Sequence, residues 1–208
     1  MKKVALFPTL LVSVALISLR SSGENNSVNP EQAFLSANQY TNAFFGFSLP
    51  LPTDPPFQEA PLQPKRGSSH VLLAVKTATA SFNYKPRLTF FMISADECSD
   101  CSSGAVKLAA SQQNTEAKSV EIAGREFWRA VSEEKDPKVQ EKVHIVKFAT
   151  SADGYILTFL ITSFDGKLTG RLEHNIERIK FFDPHQAREI AGAKSKPYQP
   201  GSWPQDLK

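Results

Sequence analysis

Apolar residues fall into short runs between turn signals along most of the chain, a pattern typical of β-strands. Residues 70–77 and 87–94 are two such runs, lack helix caps and are rich in β-branched or aromatic residues, so they predict neighbouring strands. Upstream, the aromatic and aliphatic residues of 44–49 predict a strand that ends at Pro50. A proline-rich loop is predicted over residues 52–69.

Two hairpins are predicted further along the chain. Residues 119–131 form the first, with a turn at Gly124. Residues 143–150 and 155–163 form the second, joined by a Ser-Ala-Asp-Gly turn. Residues 155–161 are apolar at both alternating sets of positions, which predicts a central strand covered on both faces. The charged segment 132–142 between the hairpins predicts a solvated loop.

Helical periodicity indicates three helices. Ser103 is a candidate N-cap for a helix over residues 104–113. Residues 167–180 predict an amphipathic helix that packs across the sheet and ends the domain. The apolar positions of that helix recur at helical spacing: Leu168, Leu172, Ile176 and Ile179. A short helix is also predicted over residues 185–191 in the C-terminal tail.

The N-terminus has the pattern of an export signal over residues 1–23. Lys2 and Lys3 precede an uncharged, largely apolar stretch over 4–19, and small residues follow. The apolar stretch is short for a membrane span, so cleavage is favoured and an uncleaved membrane anchor is the alternative. Residues 24–39 are predicted to be a polar linker, with a helical turn around 30–35.

The predicted organisation is therefore one folded domain over residues 40–182 and a Pro-rich tail over 183–208. The order of elements predicts an α/β fold of the α+β kind, an antiparallel β-sheet with packed helices. About 185 residues remain after the signal, which is enough for one domain with a hydrophobic core.

Three segments carry a family resemblance: Y-T-N-A-F-F-G-F-S-L-P at 40–50, G-R-E-F-W-R at 124–129 and G-Y-I-L-T-F at 154–159. Together with the closing helix and the I-K-F-F end at 179–182, they resemble small exported bacterial members of the Mog1/PsbP-like α/β-sandwich family. The resemblance covers roughly residues 40–182 and implies the fold. It includes no catalytic signature, and no binding residue of the family matches this chain.

Charge argues against nucleic acid as a partner. The chain has 24 Lys and Arg against 21 Asp and Glu, and three of the basic residues, Lys2, Lys3 and Arg20, lie in the predicted signal. The rest of the chain is therefore balanced in charge. Nucleic-acid binding requires clustered cations, and no long run of one sign is present.

Cys98 and Cys101 form the one motif with possible chemistry. A Cys-x-x-Cys pair before a helix is where a redox site would be activated. Asp96, Glu97 and Asp100 surround the pair, however, and negative charge raises a thiol pKa. A local structural disulfide is favoured, and thiol–disulfide exchange is the alternative. No metal site is expected, because the four histidines are scattered along the chain.

Three aromatic residues are candidates for interaction. Trp128 and Phe127 are adjacent on one strand and face opposite sides, so one belongs to the core and the other covers a second layer or lines a groove. Tyr198 and Trp203 lie in the Pro-rich tail, which has no core of its own. They dock either onto their own domain or onto a partner. His174 is expected to be solvated on the polar face of its helix.

The sequence favours an exported, non-enzymatic protein, periplasmic or secreted, that acts as an interaction or accessory module of the cell envelope. Its partner is expected to be an envelope protein, with no cofactor, and with membrane contact only if the N-terminal segment is uncleaved. The alternative function is a thiol–disulfide redox protein that uses Cys98 and Cys101.

Overall fold

A computed structural model describes residues 29–61, 68–79, 87–112, 115–135 and 141–204. Within these ranges the protein contains two antiparallel sheets and three α-helices, an α+β fold. The strands are β1 (Ala33–Ser36), β2 (Gln39–Asn42), β3 (Phe47–Pro50), β4 (Gln58–Glu59), β5 (Ser69–Thr79), β6 (Arg87–Glu97), β7 (Lys118–Ile122), β8 (Arg125–Lys135), β9 (Lys142–Ala152), β10 (Tyr155–Ser163), β11 (Lys180–Phe181) and β12 (Lys196–Tyr198). The helices are α1 (Ser103–Ala110), α2 (Gly166–Glu177) and α3 (Ala187–Ala191).

The larger sheet has seven strands in the order β4-β5-β6-β10-β9-β8-β7. The expected neighbours β5 and β6 pair, and both predicted hairpins, β7–β8 and β9–β10, form. β10 occupies the central position, as its apolar pattern predicts. Leu157, Phe159 and Ile161 point to one face and are fully buried, whereas Ile156 and Thr158 are buried on the other.

The smaller sheet has five strands in the order β11-β3-β2-β1-β12. It packs against one face of the larger sheet, where Tyr40, Phe47 and Leu49 meet the buried residues of β6, β9 and β10. The Tyr40 hydroxyl donates a hydrogen bond to the Leu72 carbonyl across this interface at 3.2 Å. Burial raises the pKa of Tyr40 far above its ordinary value, so this hydroxyl keeps its proton.

The helices α1 and α2 pack on parts of the larger sheet that the small sheet does not cover. Leu168, Leu172 and Ile176 of α2 enter the core between the sheets, and α2 begins at its N-cap Asp165, which accepts from the Lys167 and Leu168 amides. α1 packs on the opposite face of the larger sheet through Val106 and Ala110. The predicted α1 is confirmed, but its N-cap is Ser102 and not Ser103.

The region predicted to be a linker contains the first strand of the small sheet. Ala33 and Leu35 are 2% and 0% exposed, and β1 pairs with both β2 and β12. The folded part therefore begins before Tyr40, and the helical turn expected over 30–35 is wrong. Two inward-facing apolar residues are too few for their alternation with polar residues to predict a strand. The predicted signal over 1–23 lies outside the described residues.

The aromatic run after Tyr40 is a hairpin and not a single strand. Residues 43–46 form the turn between β2 and β3, and the Asn42 side chain accepts hydrogen bonds from the Phe44 and Phe45 amides at 3.0 and 2.8 Å. Gly46 completes the turn with a φ of 58°. The two Phe rings pack against Tyr155 at the end of the larger sheet.

Residues after α2 also belong to the fold, so this helix does not end the domain. The predicted tail contains a 3₁₀ turn at Pro184–Gln186, the expected short helix α3, and β12, which is an edge strand of the small sheet. The charged segment predicted as a loop is shorter than expected, since β8 runs to Lys135 and β9 begins at Lys142.

Candidate functional site

A cleft of about 870 Å³ lies between the exposed side of α2 and the segment that follows β3. One wall carries the basic side chains of α2, and the other consists of residues 50–54. Two amide side chains, Asn38 and Asn175, complete the lining. The cleft is thus formed by two parts of the chain that are far apart in sequence.

The spacing of charged residues on α2 and at its C-cap, Arg178, creates the basic wall. Lys167, Arg171, His174 and Arg178 follow each other at intervals of four, three and four residues, so they share one face of the helix. The apolar residues that fill the core lie on the opposite face. At 1.5 Å of rise per residue, this basic stripe is about 16 Å long.

Three of these cations have no protein counter-charge. Within the described residues, the side chains of Lys167, Arg171 and Arg178 are exposed and make no ion pair or hydrogen bond. His174 Nδ1 lies 3.4 Å from the Glu177 carboxylate. Asp54 is the one carboxylate that lines the cleft among those residues. The cleft is therefore locally cationic and open to an anion.

The wall opposite α2 is a proline-containing segment with a fixed path. Pro50 and Pro52 restrict the backbone, and the Leu51 amide donates a hydrogen bond to the Asn38 carbonyl at 2.8 Å. Leu51 is 7% exposed and belongs to the core, whereas Thr53 and Asp54 are exposed. This wall presents apolar and polar groups against the cations of α2.

A smaller pocket of about 170 Å³ lies beside the same segment. Leu51, Pro52 and Thr53 line both cavities, so the two are direct neighbours. Phe57 and Trp203 give the smaller pocket an aromatic lining. It is an apolar pocket next to a cationic cleft.

Trp203 is held at this pocket by a carboxylate of β4. The Trp203 amide donates to Glu59 Oε2 at 3.2 Å, and the Gly201 amide and Tyr198 hydroxyl donate to Oε1 at 2.6 and 3.1 Å. Tyr198 is 1% exposed, and its burial raises the pKa of the phenol well above the ordinary value. The tail aromatics thus dock onto their own domain, while Trp203 keeps part of its surface exposed.

Trp128 lies on the other side of the molecule. Phe127 is fully buried between the sheets, and Trp128 packs against α1, as alternation along β8 requires. The indole Nε1 donates to Ser103 Oγ at 3.2 Å, and Lys107 Nζ lies 5.2 Å from the ring centroid. The role of Trp128 in an interaction stays a prediction.

Cys98 and Cys101 are joined by a disulfide between β6 and α1, with 5.5 Å between their Cα atoms. The Cys98 amide donates to the Gly154 carbonyl, which attaches the small loop to the β9–β10 turn. Such a bridge stiffens the connection between strand and helix. Within the described residues, no group of three His, Cys, Asp or Glu side chains could hold a metal ion.

Replacement of both cysteines by serine is expected to lower the free energy of unfolding by about 1–2 kcal/mol, because the bridge closes a very short loop. Urea unfolding followed by circular dichroism measures this loss, and wild-type protein treated with a reductant should show the same loss. A loss above about 4 kcal/mol, in the range of large core deletions, would contradict a merely local bridge.

The amphipathic pattern of α2 leaves its basic residues on the polar face, but that pattern does not reveal the cleft. The four-three-four spacing of cations was the available signal. His174 is exposed, as expected, and it lines the cleft. Cys98 with Cys101, Trp128 and the tail aromatics lie in three separate places and form no common site.

None of the helices in the described part of the chain has the length and hydrophobicity needed to cross a membrane. Protein-family models and curated proteins include no match to this sequence. Among solved structures, the chain is similar to the crystal structure of LpqN, described as involved in cell envelope biogenesis of Mycobacterium tuberculosis. The two are 10% identical with a TM-score of 0.37, and the similarity covers 60% of this chain and 90% of LpqN.

Proposed function

We propose that this chain is an exported, non-enzymatic binding module of the cell envelope, and that it holds an anionic surface of another envelope protein in the α2 cleft. The observation that carries the proposal is the set of three exposed cations without protein partners, Lys167, Arg171 and Arg178, on one wall of an 870 Å³ cleft in the described part of the chain. Convergent like charges without counter-charges are a binding surface for an anion.

The local charge of the cleft contrasts with the balanced charge of the chain after residue 23. Glu173, an acidic residue of α2, accepts a hydrogen bond from Arg129 Nε at 3.0 Å. The Glu173 carboxylate is therefore paired with Arg129 of β8 and does not neutralise the cations of the cleft. Exposed ion pairs are individually weak, so affinity in such a cleft depends on several charges acting together.

Export rests on the signal pattern of residues 1–23, and an exported chain would work in the periplasm or the medium. An N-terminally membrane-anchored form is the alternative if that segment is retained. The Mog1/PsbP-like resemblance of residues 40–182 is consistent with an exported accessory protein and stays a prediction.

Thiol–disulfide exchange at Cys98 and Cys101 is the alternative function, and it can be tested independently of anion binding in the cleft. These cysteines line neither the cleft nor the neighbouring pocket. The double serine variant should therefore bind an anionic probe as the wild type does, whereas a redox protein would lose all turnover with a disulfide substrate.

A charge reversal of the cleft tests the proposal. The triple variant Lys167→Glu, Arg171→Glu and Arg178→Glu is expected to weaken binding of a fluorescent hepta-glutamate peptide by at least about tenfold at low salt, because three ion pairs become repulsive. Fluorescence anisotropy measures the Kd, and wild-type binding should weaken with added salt because the cations are exposed.

The matched control is Lys118→Glu, Lys135→Glu and Lys194→Glu, which changes the net charge by the same amount on exposed residues outside the cleft. It should retain most of the wild-type affinity. Equal losses in the two triple variants would mean that net charge and not the cleft attracts the peptide, and the proposal would fail.

A further inference from the structure

We infer that the ligand of the cleft is an extended acidic peptide segment of a partner protein, with one large apolar side chain next to its acidic run. This inference rests on the proposed function and specifies its ligand. Acidic side chains contact the basic stripe of α2, and the apolar side chain enters the pocket beside Trp203.

The length of the basic stripe fits an extended chain. Lys167 and Arg171 are separated by about 6 Å along the helix axis, and Arg171 and Arg178 by about 10 Å. Side chains on one face of an extended peptide recur about every 6.7 Å. Acidic residues at alternate positions of a five-residue segment span about 13 Å, close to the stripe of about 16 Å, and the flexible Lys and Arg side chains cover the remaining few ångströms.

The two walls of the cleft differ in a way that suits a peptide. The α2 wall offers cations, whereas the opposite wall offers Pro50, Leu51 and Pro52 with exposed polar groups beyond them. The Asn38 and Asn175 side chains provide amide donors and acceptors that a peptide backbone can use. An open cleft with one charged wall and one partly apolar wall matches an extended segment better than a compact ion.

The neighbouring pocket supplies the second half of the recognition. At about 170 Å³ it is smaller than the cavities that enclose whole small molecules, and its size suits a single side chain. Phe57, Pro56 and Trp203 line it, so that side chain is apolar. Because Leu51, Pro52 and Thr53 line both cavities, one continuous segment reaches both.

The size of this pocket also argues against a lipid. An anionic phospholipid would place its headgroup at the cations, but two acyl chains need far more apolar volume than the pocket provides. The tail aromatics are fixed by Glu59 at the Tyr198 hydroxyl and the Trp203 amide, so contacts within the protein hold the shape of the pocket.

The test compares three fluorescent peptides that share the sequence Glu-Ala-Glu-Ala-Glu. The first carries one added alanine, the second carries phenylalanine at its N-terminal end, and the third carries phenylalanine at its C-terminal end. One of the two phenylalanine peptides is expected to bind about tenfold more tightly than the alanine peptide, since its ring is buried in the pocket. The end that gives the gain defines the direction of the bound segment.

Two variants assign the gain to the pocket. Trp203→Ala should reduce the advantage of the phenylalanine peptide over the alanine peptide to about twofold or less. Ala37→Phe, a change at an exposed turn residue that lines the pocket, should have the same effect without removing a core contact. The control Phe90→Ala, on the distant face of the large sheet, should change neither Kd.

Failure of the inference is distinguishable from failure of the proposed function. If the alanine peptide binds the wild type and not the triple cleft variant, but phenylalanine at neither end adds affinity, the cleft binds anions and the apolar anchor is wrong. Tighter binding to phosphatidylglycerol vesicles than to the peptides would also overturn the inference. If none of these anions distinguishes the wild type from the triple variant, the proposed function itself fails.

Discussion

Alanine in place of Phe159 is expected to lower the free energy of unfolding by about 3–5 kcal/mol, the range for deletion of a buried aromatic ring. Phe159 is fully buried at the middle of β10, and its ring centroid lies 5.8 Å from that of Phe47 and 6.0 Å from that of Phe127. It therefore connects the small sheet to the large one, and its removal leaves a cavity between them. Urea unfolding monitored by circular dichroism measures the loss.

Phe90→Ala is the matched control for this prediction. Phe90 belongs to the adjacent strand β6, but its side chain points to the other face of the sheet and is 38% exposed. The same chemical change should cost about 1–2 kcal/mol there, because the ring is partly exposed already and its removal leaves no enclosed cavity. Similar losses at the two positions would contradict the inward orientation of Phe159 and the core between the sheets.

Gly46→Ala is expected to lower the free energy of unfolding by about 3 kcal/mol or more, through two effects. The backbone φ of 58° costs an alanine about 1–2 kcal/mol. In addition, an alanine Cβ would lie 2.2 Å from the Phe182 carbonyl oxygen, which belongs to the backbone and cannot move aside as a side chain can. The Phe182 amide donates to the Gly46 carbonyl at 2.8 Å, so the steric conflict also threatens this hydrogen bond.

Gly124→Ala separates these two effects, since Gly124 has a φ of 74° but, among the described residues other than Gly124 and its two chain neighbours, no atom lies within 4 Å of the position that an alanine methyl group would take. It should lose about 1–2 kcal/mol, the conformational cost alone. Thermal and urea unfolding of both variants give the difference. If the Gly46 variant lost no more than the Gly124 variant, the close approach of the Phe182 carbonyl would be disproved.

Strands β5 to β10 of the larger sheet could be predicted because the sequence signals for them lie within each strand or hairpin. β5 and β6 contain apolar runs of eight residues, and the pairs β7–β8 and β9–β10 are hairpins with Gly in the turn, so each signal lies within the element itself. The amphipathic pattern of α2 likewise needs no knowledge of its surroundings. A long segment with a regular pattern of apolar residues can be assigned to a helix or a strand without knowledge of the rest of the chain.

Apart from the predicted strand that overlaps β3, the small sheet was missed, because its strands are short and its outer pairing joins distant parts of the chain. β1 and β12 have four and three residues. They pair with each other although they lie near opposite ends of the described chain. Ala33 and Leu35 become recognisable as core positions only when β2 and β12 lie beside them. Segments of this length carry too few residues for periodicity to separate a strand from a loop.

The candidate site shows the same limit. The basic face of α2 can be recognised from the spacing of Lys167, Arg171 and Arg178, but a charged helix face is ordinarily only a solvated surface. The cleft exists because residues 50–54 lie opposite that face, and this contact depends on the tertiary fold. By contrast, the pairing of Cys98 with Cys101 is set by three residues of separation, so sequence alone could favour it.

The pairing of β1 with β12 has a consequence for the order in which the chain becomes structured. A ribosome delivers the described chain from its N-terminal side, and β1 can pair with β2 at once. Its other edge stays open until the residues up to Tyr198 have been synthesised. During that interval β1 presents unpaired backbone groups, the feature that makes strand edges prone to association with other chains. Completion of the small sheet therefore waits for β12, and a chain interrupted before residue 196 retains the exposed edge.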